Sequence, residues 1–148
     1  MDARPVKIIL RSSIEKTEER FEYEGLCRVK GSLYCITYTD RTDSALSRVR
    51  MDAGREGMTL HRKGSINTRM QFDPRRETPV SYSFDAFRTD FILKTKEYRF
   101  SAGEASLQIF VRYTLTEKDG QPVSEGSQEM EIIFTDTPDG ERTGVNDV

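Results

Sequence analysis

The sequence predicts an all-β chain, a single antiparallel up-and-down barrel of eight to ten strands, and three observations carry that expectation. Apolar residues recur at every second position almost throughout, which is the period of strands with one buried face. Short clusters of Gly, Ser, Thr, Asp and Pro break this alternation at close intervals and read as tight turns. No stretch shows the 3.6-residue apolar period over a length that could cover a sheet as a helix. A series of short strands in such an order must hide its edges, either by closing on itself or by stacking as two sheets.

Length and composition bound the answer further. At 148 residues the chain suits one domain, with a core from about residue 6 to residue 134 and a flexible tail over 135–148. The 23 Lys and Arg nearly balance the 25 Asp and Glu, and both signs are mixed along the chain, so no block of charge announces a nucleic-acid partner and none is expected. Apolar runs such as Ile8-Ile9-Leu10 and Ile109-Phe110-Val111 fall far short of the roughly 20 residues of a membrane helix, and no membrane partner is expected. The first five residues, Met1 to Pro5, carry no secretory pattern, so a cytoplasmic address is expected. One histidine, His61, and two cysteines cannot assemble the usual zinc sets; no metal or cofactor is expected.

The elements follow in order. Val6, Ile8 and Leu10 mark the first strand, with Ile9 suggesting cover on both sides. Phe21, Tyr23, Gly25, Cys27 and Val29 share the inner face of the second, opposite Glu22, Glu24, Leu26 and Arg28. Gly31-Ser32 suits a two-residue type II′ hairpin, in which Gly supplies the positive φ. That turn pairs Lys30 with Leu33, Val29 with Tyr34, Cys27 with Ile36 and Gly25 with Tyr38, and leaves Cys35 on the other face. A disulfide between Cys27 and Cys35 would then have to cross the sheet, beyond its reach. A three-residue loop would instead make the two cysteines direct neighbours.

Asp40 to Ser44 reads as a turn, followed by Ala45, Ser47, Val49, Met51 and Ala53 on one face of a strand. Gly54 and Gly57 bracket the next turn; Met58 and Leu60 then share a face with Arg62, while Thr59 and His61 look outward. After Lys63-Gly64-Ser65, the residues Thr68, Met70 and Phe72 oppose Asn67, Arg69 and Gln71, up to the polar turn Asp73-Pro74-Arg75-Arg76. Val80, Tyr82 and Phe84 are inward, as are Phe87, Thr89, Phe91, Leu93 and Thr95, so the parity flips between Phe84 and Phe87 and demands a bend, bulge or turn. A second flip precedes Tyr98 and Phe100. Leu107 to Leu115 is the cleanest alternating run, Asp119-Gly120 the strongest turn, and Gln128, Met130, Ile132 and Phe134 the last strand.

The run Leu60-His61-Arg62-Lys63-Gly64-Ser65-Ile66-Asn67-Thr68-Arg69-Met70-Gln71-Phe72 resembles the Arg-x-Gly then Asn-x-Arg-Met-x-Phe pattern of the YwiB-type family, small bacterial proteins of unknown function. The hairpin from Phe21 through Gly25 to Tyr34 and Tyr38 also fits, and the resemblance extends from about Val6 to Phe134. It implies a calycin or lipocalin-like barrel whose interior can hold a small apolar molecule, and it implies no activity. Asp85-Ala86-Phe87-Arg88 departs from the family, which tends to carry a Gly there; that puts in doubt any close backbone approach at this point.

No constellation of catalytic type emerges, and no enzyme is expected. Asp52 to Gly57 lacks the lysine and following helix of a phosphate loop and reads as a turn. His61 beside Arg62 lies on a solvent face with no nucleophile elbow nearby. Cys27 reads as a small core residue. Arg62, of inward parity, must be paired, meet an anionic head group, or snorkel from the strand end. Asn67 and Arg69 read as a lock on their hairpin, with Arg69 bridging to an acid on a neighbouring strand. Tyr23, Tyr34, Tyr38, Tyr82 and Tyr113 all take inward parity, so they either line a partly wet cavity or pack their rings inside with hydroxyls at the rims. The leading expectation is a non-catalytic binder of a small apolar or amphipathic ligand, lined by Tyr34, Tyr38, Arg62 and Tyr82. The alternative is a protein-binding or dimerising module, a homodimer included, whose barrel is filled by its own large residues Phe21, Tyr23, Tyr34, Phe72, Phe84, Phe91 and Phe134.

Overall fold

The computed structural model describes residues 3–41 and 46–136. Every regular element among them is a strand: β1 (Arg4–Ile14), β2 (Thr17–Lys30), β3 (Leu33–Asp40), β4 (Ser47–Ala53), β5 (Met58–Lys63), β6 (Asn67–Phe72), β7 (Thr78–Phe84), β8 (Phe87–Ala102), β9 (Ser106–Thr116) and β10 (Pro122–Phe134). Each pairs antiparallel with its neighbours in sequence, and β10 pairs back onto β1, so the ten strands close into a barrel. The seam matches Val6 with Phe134 and Ile8 with Ile132. At the same rim Arg4 bonds Asp136 and lies 4.0 Å from the Phe134 ring centroid, and Thr135 N donates to Pro5 O. Thr135 and Asp136, expected to begin the tail, are thus tied down; the remainder of the expected tail lies outside the described residues.

Local chemistry explains the turns. Gly31 takes φ +61° with Lys30 opposite Leu33, so the two-residue register holds and Cys27 and Cys35 are both free and unlinked. Phe84 pairs with Phe87 across Asp85-Ala86, and Asp85 itself adopts φ +52°, a conformation that Asp tolerates better than most side chains. The first parity flip is therefore a hairpin turn, built without the glycine the family tends to carry. The second is a bulge in β8, where Thr95 and Glu97 oppose consecutive residues of β9 and Lys96 is left over. One hairpin gave no sequence cue: Glu15-Lys16 joins β1 to β2 with Glu15 at φ +56°, extending both strands beyond their apolar cores. Residues 42–45, which take in most of the expected turn Asp40 to Ser44 and the expected strand residue Ala45, lie outside the described residues; Asp40 itself belongs to β3.

The core is the barrel interior. Ile8, Ile36, Met51, Phe72, Leu93, Leu107 and Ile132, drawn from seven strands, have no exposed surface. Ala53 and Val111 are as fully covered, and Val6, Val49, Met58, Val80, Ile109 and Met130 almost so. Phe84 departs from expectation. Its parity is inward, yet it is 49 % exposed and its partner Phe87 70 %, because the β7–β8 hairpin runs beyond the end of the neighbouring strands. β6 reaches β7 only through Ser81–Ser83, and β9 reaches β8 only from Ile92 onward, so the hairpin tip has no barrel interior to face.

Candidate functional site

Of the residues expected to line a cavity, three gather in one half of the barrel. Tyr38, Val49, Arg62, Thr68 and Tyr82 are successive cross-strand partners on the inner face of β3 to β7. Tyr34 lies elsewhere, near the opposite rim, where its ring tilts against Phe100 at 5.8 Å beside a recess of about 490 Å³. Arg62, which borders a recess of about 450 Å³, is paired. Its guanidinium donates to Asp40 at 3.1 Å, and both side chains are largely covered. Asp40, expected in a turn, is the partner that an inward guanidinium requires, and its even number matching Tyr38 was the cue.

The remaining interior is occupied by rings and sulfur. Tyr82 stands edge-on to Phe91 at 5.7 Å with its hydroxyl 3.9 Å from the Met70 sulfur, and Tyr113 stands edge-on to Phe72 at 5.4 Å. Burial raises the pKa of the Tyr82 phenol, pushes that of Tyr38 well above the ordinary phenol range and pushes that of Tyr113 up to about 12. Tyr98, at the other rim, donates to Gly54 O at 2.6 Å. Cys27 is buried among apolar side chains, and burial pushes its thiol up to about 11, which leaves it unreactive at neutral pH.

An open site exists on the outside wall instead. β2 pairs with β1 as far as Thr17, but with β3 only from Gly25 onward, so among the described residues its second edge from Glu24 back to Thr17 has no strand beside it. β3 meanwhile runs past Tyr38 to Asp40 alongside β4 alone. At the point of parting, a Cβ on residue 25 would stand 2.3 Å from the Thr37 carbonyl oxygen, which only glycine avoids. The gap opens a groove of about 930 Å³. Tyr23 and Tyr38, stacked at 4.4 Å, form its floor; Glu22 and Glu24 edge one side; Arg48, Arg50, His61 and Lys63 edge the other.

The cationic edge was not anticipated. Arg48 lies directly opposite Lys63, and Arg50, His61 and Arg69 form one cross-strand row. Burial and the nearby Arg69 and Arg50 lower the His61 imidazole below its ordinary value. Asn67 does lock its turn, its side-chain oxygen accepting from Gly64 N at 3.1 Å. Among the described residues Arg69 does not bridge to an acid as expected: its ladder neighbours are His61 and Ser81, and Asp90, opposite Ser81, takes bonds from Ser81 and Arg88. These cations were legible as positions on three consecutive strands, but not as a cluster.

A family model described as "Domain of unknown function (DUF1934)" matches residues 6–132. This chain belongs to the DUF1934 family. The DUF1934 barrel is also similar to the crystal structure of the ywiB protein from Bacillus subtilis, with a TM-score of 0.75 over 89 % of this chain and 92 % of that one, at 15 % identity. At that identity the likeness speaks for the fold, and it agrees with the resemblance read in residues 60–72. No curated protein matches the DUF1934 chain. No helix among the described residues is long and apolar enough to cross a membrane, and no group of three or more His, Cys, Asp and Glu among them could hold a metal ion. What this DUF1934 barrel offers chemically is therefore a packed interior and a charged, aromatic-floored groove on its wall.

Proposed function

We propose that the protein is a non-catalytic binding module whose barrel is filled by its own side chains and whose partner is taken on the outside, in the groove where β2 parts from β3. The observation that carries this reading is the combination of an interior with no exposed surface at Ile36, Met51, Phe72 and Leu93 and an open wall groove floored by Tyr23 and Tyr38. Concave sites of this size with a few convergent polar groups are the usual places for ligands. The stacked and exposed Phe84 and Phe87 keep homodimerisation through the β7–β8 tip within the same reading. A cytoplasmic address belongs to it too, supported by two buried, unlinked thiols.

The rival is internal carriage of a small apolar or amphipathic molecule, and it draws on the buried hydroxyls of Thr68 and Thr95, which meet no hydrogen-bond partner among the described residues. Carriage needs space that Met70, Phe72 and Tyr113 occupy. A fragment mixture titrated into isotope-labelled protein and followed by NMR separates the two. Shifts confined to residues 22–25, 37–41, 48–50 and 61–63 are expected, whereas shifts centred on the methyls of Met51 and Met70 would replace the wall groove with the interior.

A further inference from the structure

We propose that the open edge of β2, which walls the groove, takes up an extended peptide as an added strand, one whose residues alternate between basic and apolar. This rests on the groove being the binding surface and names the chemistry of its partner. The backbone is the first reason. The two-residue turn at Gly31-Ser32 makes Lys30 and Leu33 a hydrogen-bonded pair, so the even-numbered residues of β2 aim their N–H and C=O groups at β3. The ladder between β1 and β2 runs without a register shift from Thr17 to Cys27, and the alternation therefore continues past Gly25. Glu24, Glu22, Arg20 and Glu18 aim both groups away from β1, and no other backbone group among the described residues meets them. Each of these residues is exposed. A row of unmet donors and acceptors at strand spacing is a template for another chain, and a polypeptide backbone supplies the complementary row.

The side chains choose among peptides. Phe21 and Tyr23 lie on the inner face, packed against the core but only partly covered, so the neighbours that an added strand sets beside them are apolar. On the outer face Glu22 is held by Lys7 and Arg20, whereas Glu18 and Glu24 join no ion pair among the described residues. Opposite charges across a ladder are favourable, so the outward residues of the added strand are Lys or Arg. Arg48, Arg50 and Lys63, on β4 and β5, are separated from this edge by β3 and stand outside the added ladder. A second copy of the chain fits badly. Two β2 edges meeting antiparallel would set carboxylate against carboxylate in every register that overlaps Glu18 to Glu24, Glu22 on Glu22 or Glu18 on Glu24 among them.

Titration of the isotope-labelled full chain with an alternating Val-Lys heptapeptide, followed by NMR, tests this. Saturable binding is expected, and at about ten times the Kd amide exchange should slow about tenfold at Glu18, Arg20, Glu22 and Glu24. Glu19, Phe21 and Tyr23, whose amides face β1, should keep their rates. Docking through side chains alone would leave no such period of two. E18Q/E24Q should bind roughly fivefold or more weakly. E77Q/E104Q, which removes equal charge from the segments before β7 and after β8, should bind like the parent. Absence of binding, protection without the alternation, equal loss in both variants, or equal binding of an alternating Val-Glu heptapeptide overturns the proposal. So does protection of the same amides that rises with protein concentration and needs no peptide, which would give the edge to a second copy. Fragment shifts that persist in the groove when the peptide fails would sink strand addition alone; loss of both would sink the groove as a binding surface.

Discussion

Arg62 shows how one buried partner changes the expected role of a residue. Parity left Arg62 three roles, and in two of them, ligand anchor or snorkelling end, its replacement by Met should leave stability unchanged or raise it. With Asp40 at 3.1 Å and only 13 % of that carboxylate's side chain exposed, the replacement instead takes the cationic partner from a largely covered acid near Tyr38. Removing one member of a covered pair costs about 1–3 kcal/mol, mainly through the partner left behind. We expect R62M to lose stability on that scale in urea titration and R62M/D40N to recover part of it. An R62M protein that unfolds at the parent's urea midpoint would mean that the pair contributes nothing.

Among the elements, β2 is the one that sets the shape of the wall. It spans Thr17–Lys30 but changes partners at Gly25, keeping β1 throughout the first part and adding β3 only in the second. Its unpaired stretch, Thr-Glu-Glu-Arg-Phe-Glu-Tyr-Glu, is dense in charge, which discourages indiscriminate pairing at an open edge. The junction depends on the missing side chain, since a methyl there would meet the backbone of Thr37, which cannot swing aside as a side chain can. Gly25→Ala is expected to cost about 1–3 kcal/mol, the range for overpacking. Amide exchange should report the loss first in the β2–β3 hairpin; unchanged protection from residue 25 to residue 38 would show that the strands part for another reason.

At the scale of the molecule, closure makes one cooperative unit out of ten strands. β1 and β10, far apart in sequence, share the seam at Ile8 and Ile132, while Met51 lies on β4, well away from it in the order of strands. Both Ile8 and Met51 are completely covered, so Ile8→Ala and Met51→Ala should each cost about 2–5 kcal/mol. A closed barrel unfolds as a whole, so both variants should shift a single transition seen alike by far-ultraviolet and tyrosine signals. Two separated transitions in either variant would mean that part of the wall folds independently.

What the sequence by itself determined is everything that depends on alternation and on turn chemistry. The strands, the Gly31-Ser32 register, the opposite faces of Cys27 and Cys35 and both parity flips in the β7–β8 region are local consequences of a period of two and of which residues tolerate positive φ. The Glu15-Lys16 turn escaped because neither residue carries a turn preference, and closure of the sheet supplied the reason for it. The site was legible only in part. Parity put Tyr38, Arg62 and Tyr82 on the inner face, but it could not say that Asp40 closes on Arg62, that Phe84 runs past the mouth, or that Tyr34 belongs to the other rim. Nor could it bring Arg48, Lys63, Arg50, His61 and Arg69 together, because neighbours across a sheet are fixed by the register between strands, which alternation within each strand does not supply. Tertiary structure decided these points: a pleat assigns each residue a face, and only the closed barrel decides what stands opposite it and where its wall is left open.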